Sequence, residues 1–266
     1  MLKKRLIFTL LYADGFFYLS RNFRLQKIGD IDWLVNNYNF YEVAKNIDEL
    51  IILNISRDYK NQKQFLRVVS QIATNVFIPI ALGGGIDSLE VCKKFFDSGA
   101  DKVTIGDCLH DENKLVDEIS RVYGAQSIIA FLDIEKESEQ YFIKRNFGQI
   151  RCDQDIEIFL QNLIQKDVGE IILNSINKDG TGMDFDYDLL NLIPKKNSKP
   201  IILSGGAGNS SHLKKALSHS QVDAVATANL LNFIGNGLIE ARKDLLNDGL
   251  NLAVLGYDNE DRKPDG

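Results

Sequence analysis

The sequence predicts one (β/α)8 barrel domain spanning residues 1–266, with an internal two-fold repeat of half-barrels. Three observations predict it. Apolar runs of strand length recur eight times and alternate with segments of helical spacing. Several of the runs are continuous rather than alternating, as in "ELIILNI" and "EIILNSI", which suits parallel strands covered on both faces. Finally, one pattern returns after 121 residues: "PIALGGGIDS" at 79–88 matches "PIILSGGAGN" at 200–209, and "ELIILNISRD" at 49–58 lies over "EIILNSINKD" at 170–179. Two sets of four βα units give this spacing. An open doubly wound sheet is the competing α/β architecture.

The first strand is read at 6–12, inside "RLIFTLLYADG". The basic start "MLKKR" and the apolar "LIFTLLYA" have the outline of a signal peptide, but no A-x-A-like site follows and the run is short for one. A buried strand is the better reading. The helical segment "DIDWLVNNYNFYEVAKN" follows, then a strand at 49–55 and the helical "QKQFLRVVSQIATNV". The third strand, 77–83, precedes "SLEVCKKFFDSGA", and the fourth, 101–106, precedes "HDENKLVDEISRVYG". The fifth, 127–133, leads to "QDIEIFLQNLIQKDVG"; the last two helical segments both end at Gly, a common helix stop. Strands at 169–175, 199–204 and 222–227 complete the set. No Pro-, Gly- or Ser-rich linker divides the chain, and no stretch reaches the ~18 apolar residues of a membrane span.

Composition excludes several function classes. The net charge is −6 with no basic block, so a nucleic-acid partner is not expected. The three cysteines are odd in number and lack CxxC spacing, which points to a reducing compartment, with neither a zinc site nor a disulfide framework. The three histidines lie in polar contexts without ligand spacing and read as surface residues. A cytoplasmic protein with no cofactor, metal or membrane partner is the expectation.

In a barrel of this class the chemistry lies at the C-terminal ends of the strands. Two glycine clusters fall there at symmetric places: "GGG", with Gly84 and Gly85, and "SGGAG", with Ser204, Gly205 and Gly206. Glycines let backbone amides approach an anion ahead of a helix N-terminus, so a phosphorylated small-molecule ligand is expected. Asp107 closes the strand beside the first cluster and repels a phosphate there. The corresponding end of the eighth strand carries Thr227, Ala228 and Asn229, all neutral, so the second cluster is the better anion site. Asp133, closing the fifth strand after five apolar residues, is the candidate general acid or base. A carboxylate there is costly unless it reaches solvent or a ligand.

These blocks resemble the HisF family, the cyclase subunit of imidazole glycerol phosphate synthase, over nearly the whole chain. The resemblance is carried by "KRLIFTLLYADG", "IDELIILNI", "IPIALGGGI", "GADKVTIGD", "VGEIILNSINKDGTGMDFD", "PIILSGGAGN" and "VDAVATANLLNF". It implies a (β/α)8 barrel that binds a HisH-like glutaminase as a heterodimer at its bottom face. Ammonia then passes through the core to a diphosphate substrate at the top. It further implies substrate contacts by Asn54, Asn174, Asp179, Gly180 and Thr181 beside the glycine clusters, and a charged gate formed by Arg5, Glu49, Lys102 and Glu170.

Departures from the family's pattern gather on the top face. Leu11 holds the place of a catalytic Asp, Leu19 that of a Lys, Asn54 that of an Asp, Gly106 that of an Asn and Asp107 that of a Thr. A G-x-K-x-T-G motif reads "GQIRCD". The four gate charges are all kept. This profile is similar to that of HisF-like proteins of surface-polysaccharide clusters, such as WbuZ, and implies ammonia supply to a separate sugar amidotransferase that makes an acetamidino sugar. An ordinary cyclase that tolerates Leu11, and a non-catalytic activator of the glutaminase, are the alternatives.

Overall fold

In a computed structural model of the chain, residues 3–57, 61–110, 114–228 and 237–253 are described. Eight parallel strands close into a barrel: β1 (Arg5–Ala13), β4 (Glu49–Asn54), β5 (Ile80–Gly83), β6 (Lys102–Ile105), β7 (Ile128–Glu137), β10 (Glu170–Ser175), β11 (Ile201–Ser204) and β12 (Ala224–Thr227), in that spatial order. Closure is made by β12 pairing back onto β1, with Arg5 opposite Ala224, and by β7 pairing with β10, with Ile129 opposite Glu170. The doubly wound alternative is therefore excluded. The repeat is real in space: β4 and β10 are 121 residues apart and on opposite sides of the barrel, as are β5 and β11.

Alternate residues of each strand point into the barrel. Ile7, Ile51, Ala81, Ile129, Ile172, Ile202, Ala224 and Ala226 fill its interior, every one buried. The other face of each strand packs on the helices. In α3 (Gln62–Ala73), Phe65, Val69 and Ile72 recur at helical spacing and are buried against the sheet. Side-chain caps start α4 (Leu89–Asp97) at Ser88, α6 (Ile156–Leu163) at Asp155 and α7 (Ser210–Leu217) at Asn209. Replacing such a cap by Ala costs about 1 kcal/mol. The outer ring also holds α5 (Leu115–Tyr123) and α8 (Gly237–Asn247). From α8 comes Arg242, only 1% exposed, which forks onto both carboxylate oxygens of Asp48 at 2.9 and 3.0 Å. Asp48 in turn accepts from the Leu6 amide, so the last helix is bolted under β1.

Three differences from the sequence pattern have physical causes. The long helix expected over 30–46 is two short ones, α1 (Ile31–Asn36) and α2 (Phe40–Ala44), because Asn39 adopts the left-handed region, with φ 53°, and interrupts the helical ladder. Between β10 and β11 the described chain makes only a 3₁₀ turn, Tyr187–Leu192. Two antiparallel hairpins also rise from the top of the barrel. One is β2 (Phe16–Arg21) with β3 (Arg24–Gly29) after β1, and the other is β8 (Gln140–Arg145) with β9 (Ile150–Arg151) after β7. Both turn on the same tripeptide, Arg-Asn-Phe, at 21–23 and 145–147. The Asn and Phe of each are left-handed, with φ 49° and 61° in the first, 47° and 57° in the second. Paired positive φ values are what a tight hairpin turn requires, and Asn takes them more easily than other side chains.

Candidate functional site

Two polar regions interrupt the apolar interior, one at each end. At the N-terminal ends of the strands Arg5, Glu49, Lys102 and Glu170 form a closed cycle of ion pairs. Arg5 meets Glu49 at 2.8 Å and Glu170 at 2.7 Å; Lys102 meets Glu49 at 3.0 Å and Glu170 at 2.8 Å. Each charge therefore touches two of opposite sign. Inward pointing at strand starts brings them together: Glu49 opens β4, Lys102 opens β6, Glu170 opens β10 and Arg5 opens β1. Glu49 is 1% exposed and Glu170 9%. Burial pushes the Glu49 carboxyl up, against the pull of Lys102 and with added repulsion from Glu170. Burial also opposes the charge on Glu170, but hydrogen bonding and attraction from Arg5, aided by Lys102, hold its carboxyl below the usual range. A buried network of this kind is costly unless all members are present.

At the C-terminal ends lies a cavity of about 540 Å³. Its floor and walls include Thr9, Leu11, Leu53, Thr104, Phe131, Asp133, Asn174 and Ser204, with the two glycine turns and both hairpin tips above. Asp133 hangs from β7, partly exposed to the cavity, and its Oδ1 accepts a 2.7 Å hydrogen bond from Asn174 Nδ2 on the neighbouring strand. Desolvation raises its carboxyl to about 7; Asn174 opposes the rise, and Asp179 and Asp107 add to it. A carboxyl poised near neutral pH exchanges protons readily, which suits a general acid or base. Strand β1 lies diametrically opposite β7, and Leu11 lines the cavity from it. One side of the cavity floor thus offers a proton-active group and the other a hydrocarbon.

The remaining expected site residues fall into three sets. Gly84, Gly85, Gly205 and Gly206 all line the cavity with positive φ, from 69° to 107°. At Gly84 a Cβ would strike the backbone carbonyl of Asn54, and at Gly206 that of Asp184, so these turns exclude other residues. Asn54, Asn174, Gly180, Ser204 and Ala228 line the cavity as well. The Asn54 side chain is partly committed, accepting from the Ser56 amide at 3.1 Å. Asp179 also reaches the wall, but its carboxylate is engaged by the β2–β3 tip: Ser20 Oγ donates to it, as does the Phe23 amide at 3.1 Å. Thr181 is not among the lining residues; its hydroxyl donates to the Lys178 carbonyl and accepts from the Met183 amide within its own loop. Asn229 lies outside the described residues.

Sequence reasoning missed the hairpin residues Ser20, Phe23, Leu25 and Phe147, and the cation Arg57, all of which line the cavity. Asp107 is tied differently from the expectation of a bare repulsive charge: it accepts from the Asn146 amide at 3.1 Å and so fastens the β8–β9 tip. The histidines are half-buried rather than fully exposed. No group of His, Cys, Asp and Glu able to hold a metal ion occurs among the described residues, nor is any described helix long and apolar enough to cross a membrane.

A closed parallel barrel with its polar cavity at the carboxyl ends of the strands is the architecture of the (β/α)8 enzymes. The comparisons narrow this class. Residues 26–235 match the family model described as "Histidine biosynthesis protein". A protein of Parasynechococcus marenigrum, whose name as imidazole glycerol phosphate synthase subunit hisF2 is itself provisional, is 46% identical over 243 residues, covering 91% of this chain and 90% of its own. The imidazole glycerol phosphate synthase subunit HisF of Chlorobium phaeovibrioides is 32% identical over 256 residues, 96% of this chain and all of its own. That of Chlorobium limicola is 30% identical over 250 residues, 94% of this chain and 98% of its own. The chain belongs to the HisF family of histidine-biosynthesis barrels.

Proposed function

We propose that this chain is the ammonia-accepting barrel of a glutamine-dependent amidotransferase. A HisH-like glutaminase docks on the N-terminal ends of the strands. Ammonia enters past Arg5, Glu49, Lys102 and Glu170 and is used or released at the upper cavity. The observation that carries this reading is the closed ring of four ion pairs, complete and neutral in sum, set over the axis of the barrel. A neutral guest passes such a ring without an ionic trap, whereas an ion is held or repelled.

The upper cavity supports one reading of where the ammonia goes. Leu11 cannot exchange a proton, so a reaction needing two carboxyl groups across the floor has only Asp133. We read the chain as supplying ammonia for an acetamidino sugar made with a separate sugar amidotransferase. One observation favours a second reading, in which the chain closes imidazole glycerol phosphate itself: Asp133 is raised to about 7, a value suited to proton transfer. The names of the relatives agree with that second reading.

One assay separates the two. The purified chain is given the family's diphosphate substrate and ammonium salt, which bypasses the glutaminase. Turnover at least about 10²-fold below that of a HisF measured alongside, the contribution of one missing acid or base, with ammonia still delivered in the reconstituted complex, agrees with the first reading; equal turnover removes it.

A further inference from the structure

The two hairpins over the upper cavity turn on the same tripeptide but differ in how their charges are met. In the second, Lys144 reaches Glu135 and Glu137 at 2.7 and 2.6 Å. Arg151 lies 3.5 Å from Glu137, with its guanidinium 3.3 Å from the centre of the Phe142 ring. These cations are answered within the hairpin itself. The first hairpin, residues 16–29, carries Arg21, Arg24 and Lys27 and no acidic residue. All three are exposed, and none makes an ion pair among the described residues; Lys27 rests over the Phe16 ring. Arg21 and Arg24 stand opposite each other at the tip, where like charges disfavour the pairing. Asp179 lies buried beneath this tip, bonded to Ser20 and the Phe23 amide, so the outer surface is basic in a chain whose net charge is −6.

The same rim is apolar. Of the six large apolar side chains exposed among the described residues, three follow the C-terminal end of a barrel strand: Leu25 after β1, Ile150 after β7 and Met183 after β10. Each is more than half exposed, from 52 to 70%. Leu25 also lines the cavity, on the hairpin face it shares with Ser20. Singly, such residues are ordinary. Three of them above one opening, set among unpaired arginines, have the composition of a protein interface, where Met and Arg are enriched.

The chemistry below selects the occupant. On the reading given above, ammonia emerges into this cavity, whose floor offers Asp133 on one side and the hydrocarbon of Leu11 on the other. Ammonia that reaches open water at neutral pH takes up a proton and ceases to be a nucleophile, so it must pass to its acceptor under cover. We propose that the top face is the docking surface for the ammonia-consuming enzyme. That enzyme seats an acidic patch on Arg21, Arg24 and Lys27 and an apolar rim on Leu25, Ile150 and Met183, with its own ammonia inlet over the cavity mouth. This rests on the reading of the chain as an ammonia-delivering barrel, and it adds the surface and the charge of the acceptor.

The test has two stages. A photo-crosslinking amino acid is placed at Leu25 of the full chain in its native cells, and separately at Val122, which is exposed to a similar degree but sits on α5 of the outer ring. The protein joined at Leu25 and not at Val122 is then purified and titrated into the full chain by calorimetry, without glutamine or ammonia. Arg21→Glu combined with Arg24→Glu should weaken binding at least about tenfold and flatten its dependence on salt. Ile150→Asp should also weaken it, and Val122→Asp should leave it unchanged. With glutaminase added, the weakened variants should yield less aminated product per glutamine consumed. The docking surface is refuted if Leu25 joins only a second copy of this chain, only the glutaminase, or nothing. It is also refuted if the joined protein does not use ammonia, or if the double charge reversal leaves its binding unchanged in a protein of normal circular dichroism. A partner that binds through these residues and aminates with ammonium salt, yet takes no nitrogen from glutamine, would keep the docking surface and remove the delivery reading. Delivery past the bottom ring with no partner at Leu25 would do the reverse.

Discussion

At the bottom of the barrel Arg5, Glu49, Lys102 and Glu170 each bond two neighbours of opposite sign, whereas at the top Asp133 bonds a single amide and, among the described residues, no cation. The bottom spends its charges on one another. The top spends Asp107 and Asp179 on the hairpin tips and leaves Asp133 raised toward neutrality. A satisfied ring is fixed and ordered; an unsatisfied carboxyl is free to exchange protons. The difference teaches that burial alone does not mark a chemical site. Glu49 is more buried than Asp133, yet it stands between two cations, while Asp133 has hydrocarbon across the floor.

The largest effect is expected from removing the unsatisfied group. Asp133→Asn should lower any reaction at the upper cavity by about 10²- to 10⁴-fold, the contribution of one positioned acid or base. Glutamine hydrolysis by the bound glutaminase should be nearly unchanged. Single-turnover rates with saturating ammonium salt check this. A loss far smaller than about tenfold would mean that the top face does no proton chemistry and that its asymmetry with the bottom is only one of packing.

Breaking the satisfied region should look different. Lys102→Ala leaves Glu49 and Glu170 to share Arg5, and removing one member of a buried ionic set costs about 3–5 kcal/mol. The expected functional signature is uncoupling: glutamine is still consumed, while aminated product per glutamine falls several-fold as ammonia escapes to solvent. Partner affinity should survive, since an interface of ordinary size rests on many other contacts. An unchanged ratio of product to glutamine would show that ammonia does not pass this ring.

A third substitution sharpens the contrast from the other side. Leu11→Asp places a second carboxyl across the floor from Asp133. Cyclase turnover should rise less than about tenfold, because Asp107 still lies beside the first glycine turn. Recovery to full family activity would mean that Leu11 alone separates this chain from an ordinary cyclase.

Much of this architecture is legible in the sequence. The eight strands and the half-barrel offset follow from apolar runs and their spacing, because barrel strands buried on both faces leave a strong local signal, whereas Arg5, Glu49, Lys102 and Glu170 are singled out only by the resemblance to the HisF family. Asp133 is legible because a charge ending such a run stands out. The hairpins are not, since their strands are half-exposed and their tips carry no Asn-Gly or Asp-Gly turn. Their signals are the Asp14–Gly15 pair, which turns β1 antiparallel onto β2, and the tripeptide Arg-Asn-Phe occurring after both the first and the fifth strand. The part played by Asp107 and Asp179 depends on which backbone amide lies opposite, and that is settled only when the hairpins fold over the cavity. Thr181 shows the reverse failure: a residue placed at the site by motif turns its hydroxyl into its own loop.

The smallest effect is one of stability, and its sign is fixed by the raised carboxyl of Asp133. In the unfolded chain this group titrates near its ordinary 3.8, and in the folded protein near about 7. The folded state therefore prefers the protonated form. Its contribution to stability is fully present below pH ~4 and is lost as pH rises through 7, because an unpaired charge must then be held among desolvating walls and near Asp179 and Asp107. Asp133→Asn keeps an oxygen to accept from Asn174 and removes the titration. The variant should match the unmodified protein at pH 4 and melt higher at pH 8. The rise from 3.8 to about 7 is nominally worth ~4 kcal/mol, which water in the cavity reduces to ~1.5 kcal/mol, and at this chain length about 2–4 °C accompanies each kcal/mol, so a gain of about 3–6 °C is expected. The matching change at the bottom, Glu170→Gln, should show the opposite trend. Its carboxyl is held low, so the stability lost by the variant is largest at neutral pH and shrinks as pH falls through the acid range. Melting curves for both variants from pH 4 to 8 test the pair together. Parallel pH trends would mean that Glu170 is held no lower than Asp133, and the contrast drawn between these two carboxylates would fall.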